Sequence, residues 1–231
     1  MTKLLYRGQE QAYVDEGRDS LQRLREIKVK TTVADVDKTR RLCSIFYNPF
    51  RSLAEAGVFE GVGRVLVCGS SNPGEVGALL LLAEDLKLDF TVTGVEVKRD
   101  SLLHSAMWLD SHFRDNKVVL IQGDLLNLSA LRSENKLKPW DLMVDQGIGP
   151  LEMTLADLGL EKAKTLLKEY ASTLTERGRL VVDEYSDVPY LSYDRKKWVV
   201  LTRQLDAFLE SGECPFGGVA EIGSMTVYRK K

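Results

Sequence analysis

The sequence predicts an α/β fold: a doubly wound, mostly parallel sheet of seven strands that ends in an antiparallel strand. Five short runs rich in apolar and β-branched residues alternate with segments of helical periodicity, a pattern typical of parallel strands joined by helices. A turn of small residues from Gly69 to Gly74 separates the first of these runs from a helix. Two further β-type runs near the end of the chain are separated only by Gly223-Ser224, which indicates a hairpin.

Each predicted parallel strand is short and is followed by a polar or glycine-containing turn. The five strands cover residues 65–68, 90–96, 117–121, 141–145 and 179–183, and the hairpin covers 219–222 and 225–228. The first run, Val65 to Cys68, is almost wholly apolar. Such a run is typical of a strand that is covered on both faces.

Helices are predicted before and between these strands. Apolar residues recur at helical spacing over residues 9–59, with a break expected at Asn48-Pro49 and a short helix after it. Later helices are predicted from Pro73, from Asp100 to Phe113, from about Leu155 to Leu174, and around Trp198 to Phe208. We therefore divide the chain into an N-terminal helical cap segment, residues 1–59, and an α/β domain, residues 60–231. The cap either covers a binding site or forms a helical layer without contact to substrate.

Composition narrows the function classes. With 231 residues the chain is long enough for one substantial core, and its net charge of -2 argues against a dedicated nucleic-acid-binding domain. Its three cysteines are far apart and form no C-x-x-C pair, so we expect a reducing compartment and no structural metal. No apolar run approaches the ~20 residues that span a bilayer, and the first residues lack a signal-peptide core. We expect a cytoplasmic protein without a membrane partner.

Acidic residues stand at the ends of three consecutive predicted strands: Glu96, Asp124 and Asp145. In a doubly wound sheet, ligands bind outside the carboxyl ends of the strands. Glu96 lies 22 residues after Gly74, close to the spacing of about 20 residues at which an acid meets ribose hydroxyls in nucleotide-binding βαβ units. One such acid is commonly a turn former or a helix cap, but three in succession beside a glycine turn indicate a binding site.

On these residues the chain resembles the class I S-adenosylmethionine-dependent methyltransferases over about residues 60–231. GSSNPG resembles the glycine-rich first motif, which wraps the methionine part of the cofactor, and Glu96 in TVTGVE matches the acid that holds the ribose. Asp124 in IQGDLL matches the acid near the adenine amino group, and the terminal VAEIGSMTVYRK is similar to the antiparallel last strand.

The resemblance implies a Rossmann-like methyltransferase fold, with residues 60–231 as the catalytic domain and S-adenosylmethionine as the cofactor. The residues implied to bind this cofactor are Gly69, Ser70, Ser71, Pro73, Gly74, Glu96, Asp124, Leu125 and Asp145. Two features depart from the family pattern: Val67 stands where an acid is common, and Ser71 stands where a glycine is common.

Methyl transfer from a sulfonium is an in-line displacement, so catalysis depends mainly on positioning, with a base needed only when the nucleophile carries a proton. Asp145 matches the family position that faces the transferring methyl group, and we take Asp145 and Gln146 as the catalytic candidates. Tyr47 and Tyr185 are candidate substrate-binding residues, with a packing role as the alternative for each.

The acceptor is predicted to be a small molecule. The Pro-Pro-Tyr arrangement that resembles amino-directed nucleic-acid methyltransferases is absent after the fourth strand, and no cysteine follows the fourth or fifth strand. RNA or protein acceptors stay open, as does the oligomeric state.

Two rival functions remain. The first is an NAD-dependent oxidoreductase. Its dinucleotide fingerprint differs by one substitution from Gly69-x-Ser71-x-x-Gly74, and the catalytic pair of short-chain dehydrogenases looks like Tyr193-x-x-x-Lys197. Against this, about 60 residues precede the first strand, whereas those enzymes begin almost directly with it. The altered first motif also suits a non-catalytic methyltransferase-like binding subunit.

Overall fold

The computed structural model describes residues 3–5, 46–70, 73–113, 117–146, 149–183 and 195–231. The chain divides into two compact units, Met1–Asp124 and Leu125–Lys231, which we describe in turn. Most of the predicted N-terminal cap segment lies outside the described residues, so its division from the α/β domain stays a prediction.

The described residues of the first unit form four parallel strands and three helices. The strands are β1 (Lys3–Leu5), β2 (Arg64–Cys68), β3 (Thr91–Glu96) and β4 (Val118–Gln122), and the helices are α1 (residues 46–55), α2 (Pro73–Leu86) and α3 (Arg99–His112). The strand order is β1-β4-β3-β2. The side chains of β2 from Val65 to Cys68 and those of β3 from Val92 to Glu96 are buried, as expected of strands covered on both faces.

The second unit begins with a short 3-10 turn at Leu125–Asn127. The part of it that the structure describes also has four strands and four helices. The helices are α4 (Leu128–Glu134), α5 (Pro150–Leu158), α6 (Leu160–Thr173) and α7 (Arg195–Glu210). The strands are β5 (Trp140–Asp145), β6 (Leu174–Asp183), β7 (Phe216–Ile222) and β8 (Met225–Lys230), in the order β5-β6-β8-β7. β5 and β6 are parallel, and β8 is antiparallel to both β6 and β7.

The predicted fold class is confirmed: the seven strands from β2 onward form a mixed sheet that is mostly parallel and ends in antiparallel strands. β1 is an additional strand that the sequence analysis did not predict. The closing hairpin turns at Gly223, whose φ of 63° lies in the left-handed region that favours glycine.

Three predicted element boundaries were wrong in detail. The helix predicted from about Leu155 to Leu174 is two helices, because Gly159 has a φ of 81° and ends α5 before α6 begins. The strand predicted at 179–183 starts earlier, at Leu174. The break predicted at Asn48-Pro49 is also absent, since residues 46–55 are helical.

Candidate functional site

The turn after β2 has the geometry of a ligand-binding corner. Gly69 has a φ of 67°, in the left-handed region, so the chain leaves the extended conformation directly after the buried strand. Pro73 then begins α2, whose first turn is buried. We call Gly69, Ser70, Pro73 and Gly74 the glycine corner; Ser71 and Asn72 lie outside the described residues.

The carboxyl ends of β2, β3 and β4 lie side by side in register. Cys68 pairs with Val95, so Gly69 comes level with Glu96, and Glu96 in turn pairs with Gln122. The predicted acid of the second strand therefore stands on the strand next to the glycine corner. This is the edge at which doubly wound sheets bind ligands.

Glu96 is a buried carboxylate at that edge, 6% exposed. Its Oε1 accepts a hydrogen bond from the backbone N–H of Lys98 at 2.8 Å. Within the described part of the chain, no second protein group donates to this side chain. A carboxylate oxygen therefore stays available to the two hydroxyls of a ribose, which fits the role that the sequence implies.

Asp124 and Leu125 follow β4 at the same edge. Asp124 is exposed and comes two residues after the end of β4, whereas Leu125 is buried and begins the second unit. An exposed carboxylate can accept a hydrogen bond from an amino group, whereas the side chain of a leucine can offer only an apolar contact.

Ser70 is held differently from the other corner residues. It is fully buried, and its side chain lies against Gly94 of β3: a Cβ added at Gly94 would come 2.6 Å from Ser70 Oγ. The Oγ has no hydrogen-bond partner among the described residues. Ser70 thus faces the interior, and only its backbone is placed to shape the corner.

In the second unit, Asp145 ends β5 and is 2% exposed. Its Oδ2 accepts hydrogen bonds from the hydroxyl of Tyr170 at 2.7 Å and from the backbone N–H of Leu151 at 3.0 Å. Burial raises the pKa of Asp145 to about 7, although both hydrogen bonds act in the opposite direction; the charge of Glu152 raises it further. A Cβ at Gly149 would collide with Asp145 Oδ1, so only glycine fits there.

This arrangement holds Asp145 inside the protein. One oxygen is occupied by two donors, one of them from the first turn of α5 and the other from α6. The carboxyl group thereby fixes the start of α5 to the end of β5. Such a group is suited to positioning the chain that follows it.

Gln146 follows Asp145 and is also buried, at 7% exposure. Its side-chain Oε1 has no hydrogen-bond partner among the residues that the structure describes. A buried acceptor without a partner is costly, and most such atoms in proteins are satisfied by a protein group, a water or a ligand. Gln146 is therefore the group of this pair that can accept a hydrogen bond from a bound molecule.

No family model matches the chain, and no curated protein matches it. Solved structures do. A structure from Staphylococcus aureus, named for a proposed caffeoyl-CoA O-methyltransferase, aligns over 95% of this chain and 97% of its own, with 14% identity and a TM-score of 0.50. A SAM-dependent methyltransferase from Aquifex aeolicus aligns over 87% and 98%, with 16% identity and a TM-score of 0.52.

The chain has the class I methyltransferase fold. Protein PH0226 from Pyrococcus horikoshii OT3 also aligns, over 80% of this chain and 91% of its own, with 15% identity and a TM-score of 0.50. At these identities the similarity establishes the fold, and the chemistry has to be argued from the residues.

One candidate residue, Tyr47, does not lie at the edge of this sheet. The hydroxyl of Tyr47 donates to Asp85 Oδ2 at 2.5 Å, and Asp85 lies near the C-terminal end of α2. At 1.5 Å per helical residue, Asp85 is about 18 Å along the helix from Pro73. The contact therefore ties α1 to α2 and gives Tyr47 a packing role far from the corner. Tyr185 lies outside the described residues, as does Tyr193 of the dehydrogenase alternative.

Three residues of the site were missed by the sequence analysis: Tyr170, Gly149 and Gly94. Tyr170 is 25 residues from Asp145, and only its place on the apolar face of a helix was visible. Gly149 and Gly94 could have been suspected, since glycine beside a site often marks a close approach of backbone. Among the described residues, no group of three metal-ligating side chains could hold an ion, and no helix is long and apolar enough to cross a membrane.

Proposed function

We propose that this protein is an S-adenosylmethionine-dependent methyltransferase that transfers the methyl group to a small-molecule acceptor. The proposal depends mainly on the position of Glu96, which lies level with Gly69 of the glycine corner on the neighbouring strand. Its carboxylate is buried, and one of its two oxygens accepts a hydrogen bond from the backbone N–H of Lys98. The methyltransferase fold supports it.

The residues of the first unit fit the cofactor by their chemistry. Gly69, Pro73 and Gly74 would hold the methionine part at the start of α2, where helix N–H groups favour a carboxylate. Glu96 would accept the ribose hydroxyls, and Asp124, followed by Leu125, would hold the adenine. The sulfonium of the cofactor, when bound, supplies a methyl group that an acceptor lone pair can attack as the carbon–sulfur bond breaks.

Asp145 and Gln146 would serve the acceptor. Gln146 Oε1 would accept a hydrogen bond from an N–H or O–H group of the acceptor and so orient its nucleophilic atom. Asp145 would act by keeping the start of α5 and Gln146 in place. Catalysis would then rest on orientation, with the proton of the acceptor leaving to solvent or to a base on the acceptor itself.

Transfer of a labelled methyl group from S-adenosylmethionine tests this proposal. Pools of small hydroxyl and amine compounds, total RNA and total protein are offered separately as acceptors, with the Glu96→Ala variant as the negative control. Label in the small-molecule pool alone is the expected result. Label in RNA or protein would overturn the acceptor class, and binding of S-adenosylhomocysteine without transfer to any pool would favour the non-catalytic binding subunit.

A further inference from the structure

We propose that Ser105, in α3, is a positioning residue for the glycine corner: its hydroxyl holds the carbonyl of Ser70 inside the protein, away from the carboxylate of the bound cofactor. This inference rests on the proposed function, because the ligand at the corner is the cofactor. Ser105 is in none of the motifs that the sequence analysis singled out.

The hydroxyl of Ser105 is buried and directed at the corner. Ser105 is fully buried, and its Oγ donates to the carbonyl oxygen of Ser70 at 3.0 Å, across 35 residues of sequence. A polar side chain is fully buried at a cost unless it makes such bonds. This bond ties α3 to the residue that follows Gly69.

Ser70 is held from the strand side as well. Its backbone N–H donates to the carbonyl oxygen of Val95 at 3.1 Å, and its side chain lies against Gly94, where no Cβ would fit. The backbone N–H and the side chain of Ser70 are therefore held by β3, and its carbonyl is held by Ser105. Of these contacts, the bond from Ser105 is the one made to the carbonyl oxygen.

The direction of that carbonyl bears on the ligand. The methionine part of the cofactor ends in a carboxylate, and the start of α2 is favourable for such a group because helix N–H groups carry partial positive charge. A carbonyl oxygen carries partial negative charge and would repel the carboxylate if it turned toward the corner. Without the Ser105 hydroxyl, the Ser70 carbonyl would be left buried and unpaired, which favours its rotation toward water or ligand.

The test compares two ligands on purified full-length protein by calorimetry. S-adenosylhomocysteine carries the amino and carboxylate groups, whereas methylthioadenosine keeps the adenine, ribose and sulfur but lacks both. The variants are Ser105→Ala, Ser105→Cys as a replacement of similar size with a weak donor, and Ser101→Ala as the matched control from the same helix. Melting temperatures are recorded for all of them, and Ser105→Cys is compared with the unaltered protein if the alanine variant does not fold.

We expect Ser105→Ala to bind S-adenosylhomocysteine about tenfold more weakly than the unaltered protein, equivalent to about 1.4 kcal/mol. Binding of methylthioadenosine should change less than about twofold, and Ser101→Ala should bind both ligands normally. Equal weakening of both ligands, or no weakening of either, would overturn the positioning role. Failure of the unaltered protein to bind S-adenosylhomocysteine would instead overturn the proposed function, so the two failures are distinguishable.

Discussion

Replacement of Asp145 by asparagine should stabilise the protein increasingly as the pH rises. The carboxyl group is 2% exposed and its pKa is raised from 3.8 to about 7, chiefly by burial. Asparagine has nearly the same shape as the protonated acid, and its side-chain oxygen can accept the hydrogen bonds of Tyr170 and Leu151. The variant therefore keeps the contacts and loses only the titration.

The magnitude follows from the difference between the folded and unfolded pKa values. Between 3.8 and about 7 the folded protein keeps the proton on Asp145 while the unfolded chain releases it. Raising the pH therefore favours unfolding, by about 1.4 kcal/mol per pH unit. The stability that this proton contributes is fully present below 3.8 and is lost as the pH rises through about 7. From about pH 5 to pH 8 the loss is on the order of 3 kcal/mol.

Urea unfolding followed by tryptophan fluorescence, at pH values from about 5 to 8, measures the effect as a difference between Asp145→Asn and the unaltered protein. Because both proteins contain the same other titratable groups, the effect of pH on those groups cancels in the difference between the two free energies of unfolding. The variant should gain stability relative to the unaltered protein by about 3 kcal/mol across this range, and the gain should level off above the folded pKa. A difference that does not change with pH would refute the account of Asp145 as a buried, protonated group.

Two further substitutions test the contacts around the site. Tyr170→Phe removes a donor from Asp145 Oδ2 and should destabilise the protein by about 1–2 kcal/mol, more above pH 7 where the carboxylate is charged, as measured by the same urea titration. Gly94→Ala would place a Cβ 2.6 Å from Ser70 Oγ and 2.7 Å from Leu120 Cδ2, so it should cost about 1–3 kcal/mol, whereas Gly212→Ala, with open space around it, should cost much less.

Most strands of the sheet could be predicted because each contains a short run of apolar and β-branched residues, whereas β1 was not predicted. Val65 to Cys68 is buried over its whole length, as its composition indicated. The division at Gly159 could not be predicted in the same way. The apolar pattern continues at helical spacing on both sides of it, and the sign of a backbone dihedral angle is not visible in that pattern.

The candidate site was predictable where it depends on strand ends and not where it depends on long-range contacts. Glu96 and Asp145 each end a strand as expected. Their surroundings decide their chemistry, however, and these come from elsewhere in the chain: Tyr170 for Asp145, and Ser105 for the corner. Tyr47 is a candidate for which the sequence prediction and the contact differ: it precedes β2 in the chain, but its hydroxyl bonds to Asp85 near the C-terminal end of α2.

Calorimetric titration with S-adenosylhomocysteine, with NADH titrated in parallel, distinguishes the proposed methyltransferase from the NAD-dependent oxidoreductase. We expect binding of S-adenosylhomocysteine at micromolar concentrations and no binding of NADH. Glu96→Ala should weaken S-adenosylhomocysteine binding at least about tenfold, because a charged acceptor of the ribose hydroxyls is lost. Glu84→Ala, which removes an exposed carboxylate from α2, is the matched control and should bind normally. Binding of NADH alone, or binding of S-adenosylhomocysteine that is equally tight in Glu96→Ala, would contradict the account.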